Sequence, residues 1–477
     1  CAEPGCSLAQ AMSGRIQTGS SGPAAADWLR GAAVRGARLQ PVVSHPNRHL
    51  RLVQPPLSVC KALLVLSALS CGGAARGSER SPVPVGIVSP AAACAAGRRG
   101  MTHPPFDTHR QQVFVVGNEA ADADSIVSAY ALAALLDGAE VQGVPVAQIP
   151  REEVRLRGDV VELFRAAGSE VCPDGSPARM RFWDEVDWDV VRALQGRSVV
   201  LTDHNEMSDK VASVFSGRVK LILDHHANAG AHPDAEVEIV DGLGSTCTLV
   251  AERFRDGAVA LTPEVGRLLA GVILLDTRNF DPAKGKTTPR DEAAFEALRA
   301  YLPEAGRKWY KELKRARKDV SHLAVGNLLK LDLKTAPVEG FEGRVAFASM
   351  MASMEEAVER AGGPAGMLES MLQLARERGY AAVVCLFSRG AHGLKAVACA
   401  ADPPGVCDAI EARLRAAPAD LPEALRASGL FASQGILEHG FGLAARPDLA
   451  PLRAFAMRPE ITRKTLLPRA AAASPLA

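Results

Sequence analysis

Four short stretches of this 477-residue chain concentrate carboxylates and imidazoles. They are Asn118-Glu119-Ala120-Ala121-Asp122-Ala123-Asp124-Ser125, Thr202-Asp203-His204-Asn205, Asp224-His225-His226 and Asp276-Thr277-Arg278-Asn279. Acids and histidines gathered in one place repel one another unless cations neutralise them. Asp and His without Cys suit Mn²⁺, Mg²⁺ or Co²⁺ better than a structural zinc. Two such ions about 3.5–4 Å apart are the usual device for displacement at phosphorus. A single Asp behind a strand is as well explained as a helix N-cap, and Asp122 or Asp124 taken alone fits that account. Four such groups together point to a shared centre.

Each stretch follows closely on an apolar run. Val113 to Val116 is β-branched and aromatic, ends at Gly117 and reads as a buried parallel strand. The apolar period from Ile126 to Leu136 then predicts a helix packed on a sheet. Ser198 to Leu201 and Val219 to Leu223 read as further strands, and the apolar segment Leu269 to Leu275 runs into Asp276 in the same manner. Strand, polar turn and helix make a βαβ unit, so the expected class is α/β with a parallel sheet. Ligands of open parallel sheets sit outside the carboxyl ends of the strands, where these side chains would converge.

The chain is balanced overall, with 55 Lys+Arg against 54 Asp+Glu, 47% hydrophobic and 23% charged residues, as in globular proteins. Its length favours two domains over one core. No apolar run reaches the roughly 20 residues that span a bilayer, and no basic excess suggests nucleic acid. The balance conceals an asymmetry. Residues 1–100 carry 11 basic groups and three acids (Glu3, Asp27, Glu79), leaving 44 basic and 51 acidic groups in the remaining 377. This Arg-rich, acid-poor segment fits either an organelle transit peptide or an extension without a packed core, the latter also suggested by Met101 just ahead of the first patterned strand. Half of the ten cysteines lie there, and the other five are scattered without CxxC spacing. That pattern argues against a disulfide framework and for a reducing compartment, so a cytoplasmic location is expected, or a mitochondrion or plastid if the extension is a transit peptide.

The four stretches resemble the DHH superfamily of phosphoesterases, named for the triplet Asp224-His225-His226. The likeness covers roughly residues 110 to 470 and rests on motifs in family order: DxDS at Asp122–Ser125, DHN at Asp203–Asn205, DHH, and LLDT at Leu274–Thr277. Asp332-Leu333-Lys334 and Thr462-Arg463-Lys464 look like the basic motifs of the DHHA2 domain, which accompanies exopolyphosphatases, family II inorganic pyrophosphatases and prune proteins. The resemblance implies an extension over 1–108, a parallel-sheet DHH domain over 109–320 and a smaller mixed α/β DHHA2 domain over 321–477, with the active site between them.

It also implies roles. Asp203 would bridge two divalent ions (Mn²⁺, Mg²⁺ or Co²⁺), with Asp122 completing one shell beside Asn118, and Asp124, His225 and Asp276 the other. His226 would face the phosphate and donate to the leaving oxygen. Asn118, His226, Lys334, Arg463 and Lys464 would bind the substrate, with Arg155 and Arg157 as weaker candidates beside Gly158, where relatives more often carry Glu. Family II pyrophosphatases have a metal-binding His at the place of Asn118, whose amide oxygen is a weaker ligand. Animal prune proteins depart from DHH at its last residue, which is kept here as His226. The expected activity is release of terminal orthophosphate from inorganic polyphosphate. The alternatives are pyrophosphate hydrolysis, a prune-like short-chain polyphosphatase or cyclic nucleotide phosphodiesterase, and a scaffold without turnover.

Other features have plainer readings. His204 would orient Asp203, Asp224 would orient a histidine, and Ser245-Thr246 would cap a helix. His322, His392 and His439 read as surface or core residues. The basic segment Arg307 to Lys318 reads as a helix with a solvated face, not as a nucleic-acid patch. Val345–Ser349 and Tyr380–Phe387 read as strands, and Met354–Ala361 and Cys407–Ala416 as helices. Nothing in the sequence speaks to oligomeric state.

Overall fold

The computed structural model describes residues 109–257, 259–302, 306–387, 395–402, 405–415, 431–433 and 452–457. Arg463, Lys464, His392, His439 and the basic N-terminal segment lie outside them.

The first sheet is built from β1 (Gln111–Val116), β2 (Val141–Ala147), β3 (Arg181–Phe182), β4 (Ser198–Thr202), β5 (Val219–Asp224) and β6 (Glu236–Ile239). All neighbours are parallel and the order is β3-β2-β1-β4-β5-β6. The chain winds outward from β1 on one side, then returns to β4 on the other, so the order reverses between β1 and β4. Both faces of this sheet are covered. Val113 and Val115 join one core with Leu163, Leu268 and Ile273, while Phe114 and Val116 join another with Val199, Val211 and Phe215. A strand buried on both faces reads as a continuous apolar run, which is why β1 stood out.

Helix α1 (Ala123–Leu136) starts three residues earlier than the apolar period suggested, because Asp122 caps it by accepting from Ser125 N–H at 3.1 Å. Gly117 is required where β1 turns into this helix. A Cβ there would sit 2.2 Å from Ser125 Oγ and 2.7 Å from its carbonyl oxygen. Helices α2 (Gly158–Ala167), α3 (Thr246–Asp256) and α4 (Pro263–Asp276) follow among those that cover the sheet. The segment 269–275 therefore belongs to a long helix, with Thr262 as its cap and Pro263 at its first turn, and not to a strand.

Helix α5 (Gly306–Lys318) carries the basic segment. Trp309, Leu313 and Arg317 lie at i, i+4 and i+8, and the first two are buried in the core of the first sheet. Lys308, Lys311, Glu312, Arg315 and Lys318 are exposed, so the solvated-face reading holds for only part of the helix. Apolar packing passes to a second core at Val320 and Leu323.

The second sheet has the order β11-β12-β10-β9-β8-β7, with β7 (Leu333–Pro337), β8 (Arg344–Met350), β9 (Tyr380–Phe387), β10 (Lys395–Ala401), β11 (Phe431–Ser433) and β12 (Leu452–Met457). Only β8 and β9 are parallel, so this sheet is mixed. It too is covered on both faces, with Ala346 and Ala348 turned to one core and Val345 and Phe347 to the other. Helices α6 (Met354–Arg360) and α7 (Gly405–Arg415) lie within two residues of their expected bounds. Contrary to the expectation from cysteine spacing, Cys399 and Cys407 form a disulfide that ties β10 to α7. No described helix is long and apolar enough to cross a membrane.

Candidate metal centre

The site forms at the carboxyl ends of β1, β4 and β5, where the strand order reverses. Asp203 is the first residue beyond β4 and is buried. Its φ of 61° is a left-handed conformation uncommon outside glycine, held by a hydrogen bond from its N–H to Leu223 O at 3.0 Å. This turn aims the carboxylate across the strand ends. Asp203 Oδ1 lies 3.3 Å from His225 Nε2 and 3.7 Å from His226 Nδ1. One ligand atom each from Asp203, His225 and His226 falls within 4.8 Å of the others.

The two histidines are oriented differently. His225 Nδ1 is 2.8 Å from Leu243 O, so that nitrogen donates and Nε2 is left to face Asp203 and, at 3.8 Å, Asp124. His226 Nδ1 is 2.8 Å from Asp224 Oδ1. Asp224 also accepts from the N–H groups of His225 and His226 at 2.8 and 3.2 Å and from the Asn205 amide. Asp224 therefore orients His226. Burial alone would raise its pKa, but the His226 and Asn205 hydrogen bonds outweigh that and hold it at about 2.

Asp124 is buried and anchored at the start of α3. It accepts from Ser245 Oγ at 2.8 Å, Thr246 N–H at 2.8 Å and Cys247 N–H at 3.0 Å. The helix N-terminus at Ser245-Thr246 thus receives a side chain of the chain itself. Asp122 opens on the water-exposed side, yet protein atoms crowd it elsewhere. Burial would raise its pKa; the Ser125 N–H and the charges of Arg317 and Lys334 outweigh that and hold it below the usual value. Asp276 enters from the last turn of α4. Arg317 Nη1 lies 3.4 Å from its Oδ1, whereas Oδ2 is buried without a hydrogen-bond partner.

The carboxylates crowd one another. Burial, then Asp124 and Asp122, drive Asp203 well above the carboxylate range. Burial and Asp124 push Asp276 up to about 7. Burial disfavours a charged His225, but the Asp203 hydrogen bond and the Asp124 charge outweigh it and push its pKa up to about 10. A site this acidic calls for positive charge, and the orphaned Asp276 Oδ2, with the Asp203 carboxylate and the His225 and His226 rings, has the donor chemistry of a divalent cation site. The residues fit the expected metals.

Three expectations need correction. Asn118 does not offer its oxygen to the centre, because Oδ1 already accepts from Ala120 and Ala121 N–H at 2.9 and 3.1 Å, and Nδ2 donates to Asp203 Oδ2 at 2.6 Å. His204 makes its hydrogen bond to Thr202 O at 2.8 Å, not to Asp203, and its Nε2 is buried without a partner. Burial lowers its pKa to about 4, so the ring is neutral. Arg157 is buried as a clasp that donates to Glu153 O, Ala120 O and Lys330 O at 3.0, 2.7 and 3.1 Å; Arg155 is exposed. Lys334, on β7, acts electrostatically on Asp122, His204 and His226 and so belongs to the same cleft. His322 is an exposed residue near Asp319.

Sequence reasoning missed Arg317, which bonds both Asp159 and Asp276. Its signal was the i, i+4, i+8 spacing from Trp309 and Leu313, which put it on the buried face of α5. Asn205, which holds Asp224, was visible only as part of a motif.

Residues 112–275 match the DHH family N-terminal domain and residues 311–472 the DHHA2 domain. The chain is similar to human exopolyphosphatase PRUNE1, at 35% identity over 253 residues that cover 52% of this chain and 54% of that protein. It is 30% identical over 236 residues to a putative exopolyphosphatase of Schizosaccharomyces pombe, covering 46% and 59%. A manganese-dependent inorganic pyrophosphatase of Methanothrix thermoacetophila is 25% identical over 238 residues, covering 49% and 68%. The chain spans about half the length of the first of these relatives. With both domain models matched in order, the chain carries a DHH family N-terminal domain followed by a DHHA2 domain.

Proposed function

We propose that this protein is a metal-dependent exopolyphosphatase that removes terminal orthophosphate from inorganic polyphosphate. The observation that carries the reading is the meeting of Asp203, His225 and His226 ligand atoms within 4.8 Å in an acid-lined cleft that Lys334 also faces. Two divalent ions bound there would polarise the phosphoryl oxygens and generate a nucleophilic water near neutral pH. In this reading Asp122, Asp124, Asp203, His225 and Asp276 would hold the ions.

The remaining work falls to the chain's own side chains. His226 has Nδ1 committed to Asp224, so its Nε2 is the atom to meet a phosphate oxygen or the leaving group. Burial, aided by the charge of Lys334, lowers its pKa despite the Asp224 hydrogen bond. Lys334 supplies a point charge for phosphate, and Arg463 and Lys464 are assigned the same task. Asn118, as a donor to Asp203, takes a place where pyrophosphatases carry a ligand, and this favours polyphosphate over pyrophosphate. The names of the relatives support the class of reaction.

The test is to incubate the purified protein with Mn²⁺ or Mg²⁺ and long-chain polyphosphate and measure orthophosphate. Release that stops with chelator and with Asp203→Asn, in a variant that keeps its circular dichroism, supports the reading. Brisk pyrophosphate cleavage without polyphosphate cleavage would move the protein to the pyrophosphatases. Activity on short chains alone would make it prune-like.

A further inference from the structure

Glu119 lies on the loop that carries Asn118 and Asp122, yet its carboxylate turns away from the acids. It reaches edge strand β7 of the second sheet instead. Glu119 Oε2 accepts from Thr335 N–H at 3.2 Å and from Thr335 Oγ1 at 3.0 Å, and Oε1 lies 3.2 Å from the same hydroxyl. Thr335 Oγ1 in turn accepts from Arg344 Nε at 2.8 Å, and Arg344 Nη2 donates to Thr335 O at 3.1 Å. The third arm of Arg344 returns to the first domain, with Nη1 3.0 Å from Asp209 Oδ2.

Among the described residues strand β7 pairs with β8 alone, so its other edge would present bare N–H groups. Glu119 takes the one at Thr335, and Pro337, two residues on, has none to offer. The residue just before Thr335 is Lys334. A lysine ammonium hangs on a flexible stem and is only as well placed as its backbone. The loop that presents Asn118 and Asp122 therefore also holds the peptide from which Lys334 springs.

We propose that Glu119 is a positioning residue: by clamping Thr335 to the acid-bearing loop it sets Lys334 at the height over the cleft where a substrate phosphate is held. This rests on the reading of Lys334 as a phosphate-binding cation. Glu119→Gln keeps the size of the side chain but removes the charge and one of the two acceptor oxygens that face Thr335.

The experiment compares Glu119→Gln in the wild-type and Lys334→Ala backgrounds, with kcat and KM for polyphosphate, Kd for inorganic tripolyphosphate by calorimetry, and Mn²⁺ affinity. The expected result is a rise in KM and Kd of about tenfold, with kcat and Mn²⁺ affinity within about threefold of wild type. In the Lys334→Ala background the same substitution should add nothing, because the cation it places is gone. Thr335→Val, which removes the hydroxyl and keeps the N–H, should give a smaller effect in the same direction, and serves if Glu119→Gln folds poorly. An unchanged KM and Kd, or a loss that persists at full size without Lys334, overturns the clamp. A wild-type protein that hydrolyses polyphosphate alongside an indistinguishable Glu119→Gln variant sinks the clamp alone, whereas a wild type that neither cleaves nor binds polyphosphates sinks the functional reading with it.

Discussion

The side-chain amide of Asn118 donates to Asp203 Oδ2 at 2.6 Å while its oxygen accepts from two backbone N–H groups of its own loop. Those two bonds fix which end of the amide faces the acids, since a reversed amide would set donors against donors. Asn118 thus joins the β1 loop to the central carboxylate as a brace, and Ala121 can keep its φ of 48° within that loop. Asn118→Ala strands the N–H groups of Ala120 and Ala121 and should lower stability by about 1–3 kcal/mol. Urea unfolding checks this; a midpoint equal to that of wild type would show that the loop does not depend on the brace.

Arg317 offsets two carboxylates from different elements. Asp159 is buried, and Asp276 belongs to the acid cluster. Removing one partner of a buried pair leaves an uncompensated charge, so Arg317→Met should cost on the order of 3 kcal/mol. Adding Asp159→Asn to that variant should restore part of the loss. If the double variant unfolds at the same urea concentration as the single one, the pair is not what Arg317 contributes.

Gly158 begins α2 where α5 passes closest. A Cβ there would lie 2.6 Å from Ala316 O. Gly158→Ala must push the helices apart and should cost about 1–3 kcal/mol. A thermal midpoint unmoved by the alanine would mean that α5 yields freely.

Lys210 supplies a pH test away from the acid cluster. Its ammonium donates to Gln148 O at 2.6 Å and lies 5.2 Å from the Trp183 ring centroid, and burial lowers its pKa from 10.5 to about 8. Between these values the unfolded chain holds a proton that the folded chain has lost, so this group makes stability rise with pH. Below pH 8 both states are protonated and the cost of burying the charge is present in full. Relative to Lys210→Met, the wild-type melting temperature should therefore climb as pH goes from 8 toward 10.5. Parallel melting curves across that window would rule the buried ammonium out.

Much of the molecule could be read from local pattern. The strands at Val113–Val116, Ser198–Leu201, Val219–Leu223 and Tyr380–Phe387 declare themselves through β-branched and apolar runs. The acids that follow them were visible because a strand end and its polar turn are adjacent in sequence. Asp276 was visible too, but its setting was not: an apolar run of seven residues looks alike in a strand and in a buried helix, and only the cap at Thr262 with Pro263 distinguishes them.

By itself, then, the order of residue types determined an α/β chain with acids and imidazoles at the ends of parallel strands, since side-chain period and turn chemistry operate over a few neighbouring residues. Tertiary structure alone decided which charges meet. Arg317 reaches Asp276 across 41 residues and Glu119 reaches Thr335 across 216, and the amide of Asn118 faces Asp203 from 85 positions away. Such pairings depend on how helices and sheets pack in three dimensions, which no short window of sequence encodes.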